Sequence, residues 1–155
     1  MENPEVKQEY EILKILQPYL TYAGTLPFIF CALSFITNIN VIPSLGDTYQ
    51  VLSIYGLVIA SFMAGSHWGQ HLSLTDKWAV YLPTLSNSMA VILWISFLLF
   101  PFKGFLCVLM ISFSTLLFID KKLFQKNHIN SDYFRTRCIA TFIVISSLLI
   151  SGVFV

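Results

Sequence analysis

The stretch "TYQVLSIYGLVIASFMAGSHWGQHLSLT", residues 48–75, holds no Asp, Glu, Lys or Arg. A helix rises 1.5 Å per residue, and about 20 mainly apolar residues cross a hydrocarbon layer about 30 Å thick. The run is therefore long enough to span a bilayer. In lipid it must be helical, because lipid offers backbone groups no hydrogen-bond partner. Near its end stands "GSHWGQH" (65–71), with two imidazoles, an indole and a carboxamide in an otherwise oily segment. Those residues ask for a protein-lined or interfacial environment.

Working outward, the remaining charge-free runs are residues 15–46, 78–102, 104–119 and 138–155. The sequence predicts an all-α integral membrane bundle of five transmembrane helices, at about 19–38, 50–72, 79–100, 102–120 and 134–154. Lys103 and Asp120 bound the fourth, the shortest, and are expected at its two ends. Composition agrees: 11% of residues are charged against about 25% in soluble proteins, and mean hydropathy is +0.74. Nothing basic and surface-like suggests nucleic acid. Cys31, Cys107 and Cys138 fall inside apolar runs, without metal-type spacing, and read as small buried hydrophobes.

Residues 1–18 read as a separate amphipathic interfacial helix. Asn3 suits the N-cap, Pro4 the first helical position, and Val6, Tyr10 and Leu13 recur at helical spacing, with the segment ending near Pro18. Four glutamates there fit neither a secretory signal nor a transit peptide. Five spans put Lys7, Lys14, Lys77, Lys121, Lys122, Lys126, Arg135 and Arg137 on one side and Lys103 alone on the other. The positive-inside rule then places the N-terminus in the cytoplasm and the C-terminus outside.

This topology puts His67 one to two turns inside the cytoplasmic end of the second span. Trp68 sits at the aromatic belt and His71 near the headgroups. Equal depth brings His67 level with Asn87, Thr25, Ser114, Thr115 and Thr141. A polar cluster in the cytoplasmic half follows, because polar groups in lipid turn inward and pair. His67, Asn87, His71, Gln70, Thr25 and Arg135 are its candidate ligand-binding residues. Ser61, Gly65 and Gly69 form a small-xxx-small row expected to pack another helix. Asp120 is expected to pair with Arg135 or Arg137 at the headgroup level, tying two helix ends together.

His67 and His71 at i, i+4 could both face one metal or haem, but no third strong ligand is evident at that depth. No metal site or cofactor is assigned. Ser66, Ser86 and Ser88 lack an orienting carboxylate within the spans, so an enzyme is disfavoured. Three roles stand. The first is a binding protein whose cytoplasmic-side cavity takes a small molecule, a lipid or a quinone headgroup. The second is a scaffold or assembly subunit of a larger membrane complex. The third is a histidine-dependent metal, haem or membrane enzyme. The lipid bilayer is the one partner all three share.

"YAGTLPFIF" (22–30), "SFMAGSHWGQHL" (61–72), "LPTLSNSM" (82–89), "FIDKKL" (118–123) and "YFRTRCIAT" (133–141) resemble the bacterial inner-membrane proteins of the domain of unknown function 3429 family, related to the eukaryotic transmembrane protein 69. His67, Trp68 and Gly69 are the most specific part of the likeness. The resemblance implies a multi-pass membrane protein and carries no reaction with it. The acidic start points to a bacterial inner membrane.

Overall fold

The structure, a computed structural model, describes residues 15–155. The amphipathic helix expected before residue 15 lies outside the described residues. Among the described residues five helices are long and apolar enough to cross a membrane: α1 (Ile15–Ile36), α2 (Thr48–Gln70, continued by a 3-10 turn at His71–Ser73), α3 (Trp78–Leu99), α4 (Phe102–Gln125) and α5 (Ser131–Val153). The chain is an all-α bundle of membrane-protein type. Consecutive helices run antiparallel, because the connections are short.

Two boundaries differ from the sequence reading. The first is in α1, where the helix containing Pro18 begins by Ile15 and does not end at that proline. It breaks instead at Gly24 and Thr25, and a second segment, Leu26–Ile36, starts with Pro27 in its first turn. Proline lacks an N–H and clashes one turn back, which favours it in the first turn of such a restart. The break releases the Gly24 carbonyl, which accepts a hydrogen bond from the Tyr55 hydroxyl of α2 at 3.0 Å.

The second difference is in α4, which runs past Asp120 to Gln125. The lysine pair at 121 and 122 does not stop it, because long basic side chains can reach the headgroups from inside a helix. Leu123 beyond them is fully buried with Leu82 and Ile119.

At the end of the bundle opposite Asp120, α1 and α2 are joined by a small hairpin, β1 (Val41–Ile42) against β2 (Gly46–Asp47). Gly46 supplies the φ of +99° that its turn requires. Asp47 caps α2 by accepting from the Tyr49 N–H at 2.9 Å. The main core, built on Phe28, Phe35, Leu52, Leu93, Phe105, Leu109 and Leu148, fills the centre and this end. Close approach along α2 runs through Gly56, Ala60 and Ala64. Ala60 and Ala64 are fully buried, and a Cβ on Gly56 would lie 2.6 Å from Leu109. This row is offset from the expected one. Gly65 and Gly69 are exposed, a methyl group added at either would meet no atom within 4 Å, and Ser61 is half-buried.

Candidate functional site

Three helices meet at one carboxylate. Asp120 of α4 is wholly buried, and its Oδ1 lies 2.7 Å from His67 Nε2 of α2. Its Oδ2 accepts from Arg137 Nε of α5 at 2.8 Å. Arg137 also places Nη1 2.9 Å from Met63 Sδ, one turn before His67 on α2. His67 is 1% exposed and Arg137 5%. Isolated charges in such surroundings are very unfavourable, so mutual pairing is what keeps them there. Each cluster member sits one to two turns inside its helix end, where α2, α4 and α5 converge. A fourth helix joins beside it, since the Ser86 hydroxyl of α3 donates to the Ala64 carbonyl of α2 at 2.6 Å.

Asp120 departs from its sequence-based placement. It does not lie at the end of α4, because the helix continues past it and turns it inward. It is a carboxylate within the span, and it orients an imidazole that the sequence left without such a partner. With the Nε2 proton donated to Asp120, His67 Nδ1 is left buried without a partner among the described residues. The Ser66 hydroxyl turns to its own helix, donating to the Met63 carbonyl at 2.8 Å. Among the described residues no group of three or more His, Cys, Asp or Glu side chains is placed to hold one metal ion.

The other candidate residues scatter. Asn87, level with the cluster by depth, faces outward and is exposed, while its neighbour Ser86 turns inward. Arg135 is exposed, so of the two arginines Arg137 enters the bundle. His71 caps α2, its ring edge-on to Trp68 at 5.0 Å and its Nδ1 against the Trp68 carbonyl. Trp68 is 44% exposed and Gln70 half-buried. Thr25 is buried at the α1 break, donating to the Tyr22 carbonyl at 2.7 Å.

Beside the cluster lies a cavity of about 390 Å³ between α1, α2 and α5. Its polar wall includes Thr25, Ser66, Tyr133, Arg137 and Thr141; its apolar wall includes Leu20, Ile59, Phe62, Phe113 and Val144. Leu20 and Phe62 are 63% and 70% exposed, so this wall reaches the outer surface of the described bundle. Of these residues sequence reasoning assigned Thr25 to a binding site and Arg137 to an ion pair, and it missed Met63, Ser66 and Tyr133 as cavity residues. A serine, a tyrosine and a methionine in a membrane helix carry no outward sign of which face they occupy.

Fold and cluster together define the class: a five-helix membrane protein with a histidine–aspartate–arginine set buried among three of its helices. The chain belongs to the family described as protein of unknown function DUF3429, whose model matches residues 15–153. No curated protein and no solved structure matches it.

Proposed function

We propose that this is a multi-pass protein of the bacterial inner membrane, amino end in the cytoplasm, that holds one amphiphilic molecule in the α1–α2–α5 cavity. The occupant is a lipid or a quinone, its polar head against Tyr133, Ser66 and Arg137 and its tail along Phe62 and Leu20. The role is binding rather than catalysis. One observation carries the reading: a cavity of about 390 Å³ with hydroxyls and a guanidinium on one wall and aliphatic and aromatic groups on the other. Such an arrangement of mostly apolar lining with a few convergent polar groups is what small-molecule sites share. Arg137 uses two of its nitrogens on Asp120 and Met63 and still lines the cavity. Asp120 and His67 fix that guanidinium in place from behind.

The test is extraction and mass spectrometry of whatever accompanies the protein in mild detergent. Wild-type protein is expected to carry one lipid or quinone per chain. Ala140→Phe, which fills the cavity, is expected to lose it while the protein stays folded. A wild-type protein that carries no such molecule and takes up none from quinone-doped vesicles would sink the reading.

A second reading rests on the exposed Gly65 and Gly69, where a helix of another subunit could approach closely. Gly65→Leu would then strip a partner protein from the preparation while the cavity stays occupied.

A further inference from the structure

α3 is the least covered of the five helices: 22% of its apolar window is buried inside the bundle, against 33–39% for the others. Its outward residues are regularly spaced. Val80, Thr84, Asn87, Val91, Trp94 and Leu98 are all exposed at alternating steps of four and three, and so is the adjacent row from Tyr81 to Leu99. Either row has the spacing of a helix seam, and the first is singled out by what it holds. In the middle of the seam stands one carboxamide. Thr84 and the inward-facing Ser86 donate to the Val80 and Ala64 carbonyls, whereas Asn87 makes no hydrogen bond among the described residues. At 1.5 Å per residue Asn87 lies about 14 Å along α3 from its first residue, inside the span and level with His67, where no water compensates it. A carboxamide left bare in hydrocarbon is strongly disfavoured.

We propose that this face of α3 pairs with the same face of a second copy, Asn87 against Asn87, about a two-fold axis along the membrane normal. The occupant follows from the geometry. Every copy is inserted in one orientation, so a second α3 brings an identical residue to an identical depth. A carboxamide holds both donor and acceptor and so complements itself across the axis. Buried asparagine in a heptad seam fixes register and pairing, and asparagine bonds across membrane helices strengthen association modestly. The interface stands apart from the α1–α2–α5 cavity and does not depend on what fills it.

Energy transfer between two labelled populations in vesicles, followed as lipid dilutes protein, tests this. Wild-type protein is expected to associate. Asn87→Leu is expected to weaken association by roughly three- to tenfold, and Asn87→Gln to retain most of it. Ser114→Leu, a change on the exposed face of α4, is expected to leave it unchanged. Position 87 faces outward, so the leucine variant should keep the monomer's thermal midpoint, which is measured alongside. Wild-type protein that stays monomeric at the highest protein-to-lipid ratio overturns the proposal. So does an Asn87→Leu variant that associates as tightly as wild type.

Discussion

The two ends of this bundle are held by different physics. At the hairpin end, aromatic rings interlock: Phe35 lies 5.1 Å from Tyr49, Tyr49 lies 4.9 Å from Phe102, and Phe97 lies 5.4 Å from Phe105. At the other end one carboxylate ties an imidazole and a guanidinium from two further helices. The contrast matters because of the solvent. In lipid, moving an apolar ring out of the bundle loses contacts but no hydrophobic driving force, since acyl chains are as apolar as the core. Removing a buried charge partner has no such cushion, because lipid cannot solvate what remains. The polar end is therefore expected to be the brittle one.

The largest test of that contrast is Asp120→Leu. It leaves Arg137 buried without a counter-charge and is expected to destabilise by about 3–5 kcal/mol, read from unfolding in detergent. A loss below about 1 kcal/mol would mean that the cluster is incidental to the fold. Next comes Gly56→Leu, where the first added carbon already meets Leu109 at 2.6 Å. Overpacking there is expected to cost about 1–3 kcal/mol, while Gly65→Ala, in open space, should be neutral or gain up to about 1 kcal/mol of helix propensity. Equal effects at the two glycines would contradict the helix packing. At the aromatic end, Phe35→Ala is expected to cost about 1–2 kcal/mol, below the roughly 3–5 kcal/mol typical of water-soluble cores. A larger loss than that of Asp120→Leu would reverse the comparison.

The smallest effect belongs to the loops on the charged side. Asp76 accepts from the Trp78 N–H at 3.0 Å and lies 3.4 Å from His128 Nε2. Desolvation, the largest single influence, pushes its carboxyl up, but the Trp78 N–H, the His128 side chain and the charges of His128 and Lys126 together outweigh it. The group is held below the ordinary aspartate value. A carboxyl lowered in the folded state contributes stability above its unfolded value and loses it as pH falls through its folded value. Wild type should therefore lose slightly more stability than Asp76→Asn below about pH 4, and thermal midpoints across that range measure it. Identical acid profiles would show that the loop contact adds nothing.

Much of the fold is legible in the sequence because lipid allows few choices. Charge-free runs of sufficient length have to be helices, and a helix long and apolar enough to span falls on each of the five. Legibility fails where a charge is taken for a boundary. Asp120 followed by Lys121 and Lys122 has the look of a headgroup border, yet Leu116, Asp120 and Leu123 share the inward face of one continuing helix, and all three are buried. Their spacing is the signal the sequence offers. Asn87 fails in a different way: depth along an antiparallel pair fixes level but not rotation, and the helix turns that carboxamide outward.

The sequence alone determined that the chain is a bundle of five apolar helices, because hydropathy and the spacing of charges depend only on order along the chain. It also placed His67 one to two turns inside a helix end. Which groups meet that imidazole was decided in three dimensions. Asp120 is 53 residues from His67 and Arg137 a further 17 away, and only the rotation and packing of α2, α4 and α5 bring the three within hydrogen-bonding reach.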